Sequence, residues 1–191
     1  MRYVFLDVDG VLNNRYTKND SKTGYLEGLA SIDFKNMDCF RAIMDRFYKK
    51  YGEENVRIVL SSSWRAGEDA KDIERYRYSL RRILDIYLEK WGLKIDEEIP
   101  ILPYEYSRGA EIVNYLSSHL TDLENYIVLD DHIFEDFKKY HILRHLVQSS
   151  YDSRGGFGGL LEKHINYAER IMANEIKDDE LESIKDFRIS F

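Results

Sequence analysis

The stretch that decides the fold is Arg2-Tyr-Val-Phe-Leu6, an apolar run that stops abruptly at Asp7-Val-Asp9-Gly10. A short run of β-branched and aromatic side chains predicts a strand that is buried on both faces, as in a parallel sheet. Asp7 and Asp9 are two positions apart, so their side chains share one face if the chain stays extended. The stretch therefore predicts a central strand with two carboxylates at its carboxyl end.

Two later apolar runs end in polar groups in the same way. Val56-Arg-Ile-Val-Leu60 leads into Ser61-Ser-Ser-Trp-Arg65, and Tyr126-Ile-Val-Leu129 leads into Asp130-Asp131. Ligands of parallel sheets bind beyond the carboxyl ends of the strands. We therefore expect the serines and both pairs of acids to meet at one edge of the sheet.

Helical and strand periodicity covers most of the remaining chain. The spacing predicts helices over residues 36–51, 73–91, 112–120, 133–140 and 160–176, and short strands over residues 99–102 and 145–148. Strands and helices alternate, which predicts an α/β fold, a three-layer α/β/α Rossmann-like sandwich around a mainly parallel five-stranded sheet.

The chain shows no internal repeat and no long linker, so we predict a single domain over residues 1–191. Within it, the polar segment 13–35 predicts a flap or loop insertion, and residues 154–159 predict a glycine-rich loop. Residues 160–191 predict a C-terminal helical segment.

The composition is that of a globular and mildly acidic protein. Hydrophobic residues make up 43% of the 191 and charged residues 33%, which excludes disordered, collagen-like and low-complexity classes. The net charge of −7 supplies no overall attraction to nucleic acid or to an anionic membrane. A single cysteine, Cys39, cannot form an intramolecular disulfide and indicates a reducing compartment. We therefore expect a cytoplasmic protein without a membrane partner.

The four acids Asp7, Asp9, Asp130 and Asp131 would repel one another if they converged without a cation. Mg²⁺ suits such a site best, because it binds one or two carboxylates together with waters and phosphate oxygens. The alternative for the first pair is an ordinary turn after a strand, since Asp and Gly are common turn residues. A calcium loop does not fit, because Val11 occupies a ligand position.

Ser61 and Ser62 follow a strand and precede a helix, which suits either phosphate binding or simple helix capping. A serine hydrolase is disfavoured, because these serines lie in no G-x-S-x-G motif. Arg108 opens a helix, where a basic residue is slightly unfavourable, and this misfit hints at a functional role. A solvated surface charge is the alternative. Arg65 would reach the same edge from the start of a neighbouring helix.

The histidines and the long basic helix carry no motif of their own. We interpret the five histidines as structural or surface residues: His119, His132, His141, His145 and His164. The helix predicted over 73–91 has a basic face formed by Arg75, Arg77, Arg81 and Arg82. We interpret this face as solvated and ion-paired, and nucleic-acid binding is the alternative.

Four motifs of the chain resemble those of the haloacid dehalogenase (HAD) superfamily and occur in that family's order. They are LDVDGVLN, the serine that follows the second strand, an arginine before a helix, and the acid pair of YIVLDD. More closely, these segments together with IVLSSSWR and RGAEI are similar to the HAD domain of "Swiss army knife" RNA-repair proteins and of stand-alone bacterial relatives.

The resemblance implies catalytic roles for three residues. Asp7 would be the nucleophile that forms an aspartyl-phosphate, and Asp9 would be the general acid and base. Arg108 would stabilise the charge of the phosphate, although the third motif of the family more often contains Lys.

The resemblance also implies the ligands of the site. Ser61, together with Ser62, would bind the substrate phosphate, although three consecutive serines leave the register of this motif open by one residue. By its position just past Ser63, rather than by the resemblance, Arg65 is the competing candidate for the phosphate contact. The predicted Mg²⁺ ligands are Asp7, Asp9, Asp130 and Asp131.

These expectations describe a Mg²⁺-dependent phosphoester hydrolase, a phosphatase that acts on nucleic-acid ends or nucleotides. The alternative is a non-catalytic phosphate-binding module that kept the fold, and the presence of Asp9 disfavours it, because a binder does not need the second acid. Segment 13–55 contains one helix and a polar flap, which is too little for a separate cap core, and segment 65–104 is mostly one helix that the sandwich itself requires. We therefore predict no large cap and an open site. Such a site would admit a bulky substrate such as a polynucleotide end or a phosphoprotein, whereas the acidic net charge favours a nucleotide or small phosphoester.

Overall fold

The core of the molecule is a five-stranded parallel sheet. The computed structural model describes residues 1–17, 32–65, 80–103, 107–152 and 158–176. The strands are β1 (Arg2–Leu6), β2 (Val56–Leu60), β3 (Glu97–Glu98), β4 (Asn125–Asp130) and β5 (Leu146–Gln148). Their order across the sheet is β3-β2-β1-β4-β5, and every neighbouring pair is parallel. The first strand of the chain therefore lies at the centre.

β1 is central because it is apolar on both faces. Val4 and Leu6 pack into one hydrophobic core, and Tyr3 and Phe5 pack into the other. Such a strand is stable only between two layers of helices, as the absence of polar alternation predicts. The opening stretch of the sequence thus decides the layered architecture.

Four α-helices cover the sheet in the described part of the chain. They are α1 (Phe34–Tyr51), α2 (Leu80–Lys90), α3 (Arg108–Ser117) and α4 (Glu162–Met172). α1, α2 and α4 contribute buried side chains to the core that contains Leu6, and α3 contributes to the core that contains Phe5. The predicted α/β/α sandwich with a parallel five-stranded sheet is confirmed.

The strand register brings the carboxyl ends of the three central strands to one level. Leu6 of β1 pairs with Leu60 of β2 on one side and with Leu129 of β4 on the other. The ladder continues one step further, since the Asp7 N–H donates to the Leu129 carbonyl and the Ser61 N–H to the Leu6 carbonyl, both at 2.9 Å. The residues that follow these leucines therefore emerge together at one edge of the sheet.

The edge of the sheet differs from the prediction. The short strand predicted over 99–102 is wrong, because β3 lies earlier, at Glu97–Glu98. Pro100 and Pro103 have no N–H group to donate to a neighbouring strand, so they end the ladder.

The short helix predicted over 133–140 is found only as a shorter 3₁₀ helix. The segment forms one 3₁₀ turn at Glu135–Phe137, and His141 beyond it has a left-handed backbone with a φ of 57°. α3 begins and ends earlier than the helix predicted over 112–120. The helices predicted over 36–51 and 160–176 are found as α1 and α4.

Several predicted segments lie wholly or partly outside the described residues. They are most of the flap predicted over 13–35, the start of the helix predicted over 73–91, most of the loop at 154–159, and the C-terminal segment beyond residue 176. Among the described helices, none is both long and apolar enough to cross a membrane.

His164 is a buried histidine in the first turn of α4. Its Nδ1 accepts a hydrogen bond from the Leu161 N–H at 2.9 Å. Burial lowers the pKa of His164 to about 4, and the charge of Lys163 acts in the same direction. The folded protein therefore keeps this ring neutral at a pH where the unfolded chain has bound a proton.

The free energy of unfolding is expected to fall as the pH drops from about 6.5 to about 4, because only the unfolded chain gains the proton of His164. Above about pH 6.5, His164 does not lower the free energy of unfolding. Between about pH 6.5 and about pH 4, the free energy of unfolding decreases by about 1.4 kcal/mol for each pH unit. In His164→Asn, an amide oxygen replaces the accepting Nδ1 and cannot titrate. The free energy of unfolding of this variant should therefore fall less steeply with decreasing pH, by the contribution of one proton. Urea titrations of both proteins across this window measure the difference. Parallel pH profiles would contradict the assignment.

Candidate active site

Three carboxylates converge at the carboxyl ends of β1 and β4. Asp7 follows β1, Asp130 ends β4, and Asp131 comes directly after it. One oxygen from each carboxylate lies within 4.8 Å of the others, a spacing that one metal ion can bridge. Asp7 and Asp130 are buried and Asp131 is half-buried. We call these three residues the acidic cluster.

Burial is the main cause of a raised pKa at each acid of the cluster. It raises the pKa of Asp7, while Arg108 and the Ser62 hydroxyl oppose the effect. It raises the pKa of Asp130 to about 8, and the negative charge of Asp7 adds to this. Burial and then Asp7 also raise the pKa of Asp131. Like charges in a buried site disfavour ionisation, and a bound cation would favour the ionised cluster.

The donor set of the acidic cluster fits Mg²⁺, because carboxylate oxygens are the hard ligands that this ion prefers. Gly10 makes the arrangement sterically possible. Its φ is +73°, and a Cβ at this position would lie 2.3 Å from Cγ of Asp131. Glycine adopts this left-handed conformation readily and leaves room for Asp131 beside it.

Asp9 lies outside the acidic cluster and makes two hydrogen bonds to side chains. Its Oδ1 accepts from Asn13 Nδ2 at 2.8 Å, and its Oδ2 accepts from Trp64 Nε1 at 2.9 Å. The sequence predicts Asp9 both as a general acid and as a metal ligand, but the three acids that meet are Asp7, Asp130 and Asp131. The two contacts orient an otherwise exposed carboxylate.

Arg108, the first residue of α3, directs its guanidinium toward the acidic cluster. Its Nη1 lies 3.4 Å from Asp7 Oδ1 and 3.4 Å from Asp130 Oδ2. The side chain is only 11% exposed, and its guanidinium carbon lies 5.3 Å from the centre of the Phe134 ring. A guanidinium in this position is suited to an anion that approaches Asp7.

The start of α3 is capped by Asp136 rather than by the preceding residue, Ser107. Asp136 accepts hydrogen bonds from the N–H groups of Gly109 and Ala110, at 3.2 and 2.8 Å. The Ser107 hydroxyl makes no capping bond. A Cβ on Gly109 would lie 2.6 Å from the Asp136 carboxyl carbon, so glycine allows this close approach. The cap ties the helix that carries Arg108 to the loop after β4.

The two serines that the sequence predicts as phosphate ligands are both fully buried. The Ser62 hydroxyl acts on the Asp7 carboxylate and lowers its pKa, and the Ser62 oxygen accepts from the Trp64 N–H at 3.3 Å. Ser61 Oγ has no hydrogen-bond partner among the described residues. The sequence favours Ser61, the first hydroxyl after the apolar run, whereas the geometry brings Ser62 to Asp7.

Arg65, predicted as the competing phosphate ligand, makes a different set of contacts. Its Nη2 lies 2.6 Å from Glu111 Oε2. Its Nε donates to the Ile99 carbonyl at 3.1 Å, and its Nη1 donates to the carbonyls of Ser61 and Ser62 at 2.8 and 2.6 Å. The Arg65 side chain is 5% exposed. It thus connects the ends of β2 and β3 to α3, and the arrangement favours Arg108 as the arginine that faces an anion.

Sequence patterns alone do not single out four residues of this region: Asn13, Trp64, Glu111 and Asp136. A local signal exists for two of them, since Asn13 is four residues after Asp9 and Glu111 is three residues after Arg108. Side chains at such spacings meet within one helical turn. Trp64 and Asp136 act through contacts between distant parts of the chain, which no local pattern predicts.

A comparison with protein-family models matches residues 3–156 to the family described as "HAD domain in Swiss Army Knife RNA repair proteins". The matched region extends from β1 past β5 and contains every residue of the site described above. The match confirms the resemblance that the four motifs carry. The chain matches no curated protein and no solved structure.

Proposed function

The chain belongs to the family of HAD domains in Swiss Army Knife RNA repair proteins, and from this premise we propose that it is a Mg²⁺-dependent phosphatase. The observation that carries the proposal is the convergence of Asp7, Asp130 and Asp131 within 4.8 Å, beside the Arg108 guanidinium. Phosphoryl transfer to a carboxylate needs these elements together: a nucleophile, a site for a divalent cation and a fixed positive charge.

Asp7 is the proposed nucleophile. One of its carboxylate oxygens attacks the phosphorus, the bond to the leaving oxygen breaks, and an aspartyl-phosphate forms. Asp9 donates a proton to the leaving oxygen. The hydrogen bonds from Asn13 and Trp64 support this role, because they hold the Asp9 carboxylate in one orientation.

The second step hydrolyses the aspartyl-phosphate. Asp9, now a carboxylate, removes a proton from water as the water oxygen attacks the phosphorus. The bond between phosphorus and the Asp7 oxygen breaks, which releases inorganic phosphate and restores both acids. The division into two displacements replaces one difficult step with two easier ones.

The acidic cluster would hold the Mg²⁺. When bound, the ion offsets the negative charge that the carboxylates and the phosphate bring into one place. Asp9 lies outside the acidic cluster, so we assign it to proton transfer rather than to metal binding.

Arg108 and Ser62 are the proposed contacts to the phosphate. Arg108 would neutralise charge on the phosphoryl oxygens through its fork of donors. The Ser62 hydroxyl already acts on Asp7, whose pKa it lowers, and can turn to a phosphate oxygen bound there. The hydroxyl of Ser61, unpartnered among the described residues, is a further candidate donor.

The proposed substrate class is a phosphate on a nucleic-acid end or a nucleotide. The family description, which names RNA repair proteins, supports this choice. The net charge of −7 provides no general attraction to a polynucleotide, so recognition would depend on groups near the acidic cluster.

An assay with 4-nitrophenyl phosphate tests the reaction. We expect phosphate release that requires Mg²⁺ and stops when EDTA is added, and a phosphorylated enzyme that can be trapped by acid quenching. A panel of nucleotides and of oligonucleotides with 3′- or 5′-phosphates then orders the substrates. If nothing in the panel turns over while inorganic phosphate still binds, the chain is the alternative phosphate-binding module.

Asp131→Asn is expected to weaken Mg²⁺ binding by about tenfold or more relative to the unaltered protein. Asp130→Asn should weaken it less. The Asp130 carboxylate is already engaged, since its Oδ1 accepts from the His132 N–H at 2.8 Å and its Oδ2 faces Arg108. Asp131 instead lies against Gly10, with its carboxylate beside the other two acids. Calorimetric Mg²⁺ titrations of the three proteins measure this, and the reverse order would refute the assignment of the ligands.

A further inference from the structure

Glu111 lies between the two arginines of the site. It belongs to the first turn of α3, and its side chain is 10% exposed. Its Oε2 is 2.6 Å from Arg65 Nη2 and 3.7 Å from Arg108 Nε. Its Oε1 accepts a hydrogen bond from the Leu102 N–H at 3.3 Å. One buried carboxylate thus faces two guanidinium groups.

The two arginines are held in different ways. Arg65 donates to three backbone carbonyls in addition to its contact with Glu111, so it is fixed on several sides. Arg108 has its Nε edge toward Glu111 and its Nη1 toward Asp7 and Asp130. Glu111 and the acidic cluster therefore contact different nitrogens of the Arg108 guanidinium.

We propose that Glu111 is a positioning residue, which fixes Arg65 as a clamp on the backbone and turns Arg108 toward a phosphate bound at Asp7. This inference rests on the proposed phosphate site. Without the Glu111 carboxylate within reach, two buried groups of like charge lose their shared counter-ion. Arg108 would then lose the contact at Nε and could turn about its Nη1 contacts with Asp7 and Asp130, and a misaligned donor fork binds phosphate less well.

Glu111→Asp separates the reach of the side chain from its charge. It keeps a negative charge in the first helical turn, where an acid is favourable, but withdraws the carboxylate from both arginines by one methylene group. We expect inorganic phosphate, titrated in the presence of Mg²⁺, to bind about tenfold more weakly, and kcat/KM for 4-nitrophenyl phosphate to fall similarly. In the Arg108→Ala background the same substitution should change both by less than about twofold. A residue with a merely structural role would produce the same loss in both backgrounds.

Phosphate binding does not require turnover, so calorimetry separates this inference from the proposed function. A loss that depends on Arg108, in a protein without any turnover, would support the role of Glu111 and overturn the phosphatase. Equal losses in the two backgrounds would overturn the role of Glu111 whatever the turnover. If the unaltered protein neither binds phosphate nor turns over 4-nitrophenyl phosphate, both proposals fail.

The matched control is Glu169→Asp in α4, because Glu169 forms an ion pair with Arg46 at 2.9 Å outside the site. This change shortens a paired glutamate by the same methylene group and should leave phosphate binding and turnover unchanged. Should Glu111→Asp fail to fold, Glu111→Gln keeps the length of the side chain and replaces it in the same cycle. The loss of phosphate affinity that Glu111→Gln causes in the Arg108→Ala background is then subtracted from the loss that it causes in the unaltered protein. A remaining loss of about tenfold supports the role of Glu111, and no remaining loss overturns it.

Discussion

Asp7→Asn is expected to lower the turnover of 4-nitrophenyl phosphate by about 10⁴-fold or more, because an amide cannot accept the phosphoryl group. The substitution keeps the size of a side chain that is buried between β1 and β4, so the fold should be retained. It also relieves the repulsion with Asp130, whose raised pKa reflects burial and then the charge of Asp7. A folded but inactive protein is therefore the expected result.

Loss of turnover in Asp7→Asn alone does not separate a nucleophile from a metal ligand, because Asp7 belongs to the acidic cluster. The separating measurement is acid-quenched mass spectrometry of the unaltered protein, in which the added phosphoryl group should map to Asp7. Asp45→Asn is a suitable control, since Asp45 pairs with Arg41 on α1 and should leave turnover unchanged. Equal turnover in Asp7→Asn and in the unaltered protein would exclude Asp7 as the nucleophile.

The centre of the fold could be predicted from the sequence because its signal is local. β1, β2 and β4 are continuous apolar runs, and a parallel register brings their ends together without further information. β3 could not be placed in the same way, because Glu97 and Glu98 are exposed and polar and pair only at the edge of the sheet. Its position depends on the neighbouring strand and on the prolines that follow, not on its own hydrophobicity.

The candidate site, too, is predictable from the sequence only in part. The convergence of Asp7, Asp130 and Asp131 follows from strand order and register, which the sequence predicts. The contacts of Arg65 do not follow, because Glu111 lies on a different element and the pairing depends on how α3 packs against the sheet. Sequence position alone places both Arg65 and Arg108 near the edge of the sheet. Only the structure shows that Arg65 pairs with Glu111, whereas Arg108 faces Asp7.

Arg108→Ala is expected to reduce turnover by about 10²–10³-fold, because one fixed donor to the charge that develops on the phosphoryl oxygens is lost. Arg108→Lys should recover part of the rate, since Lys keeps the charge but not the two-pronged geometry of the guanidinium. Stability should fall less in Arg108→Ala than in Arg65→Ala, because the Arg108 guanidinium lies 3.4 Å or more from the carboxylates of Asp7 and Asp130. The N–H groups of Gly109 and Ala110 also still donate to Asp136 and hold the start of α3. Kinetics under saturating Mg²⁺, together with urea titrations, measure both quantities.

Arg65→Ala should have the opposite profile, with a large loss of stability and a small loss of turnover per folded molecule. Removing this guanidinium leaves Glu111 without its 2.6 Å partner and takes a side-chain donor from the carbonyls of Ile99 and Ser61. The Ser62 carbonyl loses the same donor but keeps the backbone N–H of residue 65 at 3.2 Å. Breaking a buried ion pair on one side typically lowers the free energy of unfolding by about 3–5 kcal/mol. If Arg65→Ala instead folds normally and loses turnover while Arg108→Ala keeps it, the phosphate contact belongs to Arg65. The two arginines would then have exchanged roles, and the geometry around Asp7 would have to change on substrate binding to bring Arg65 forward.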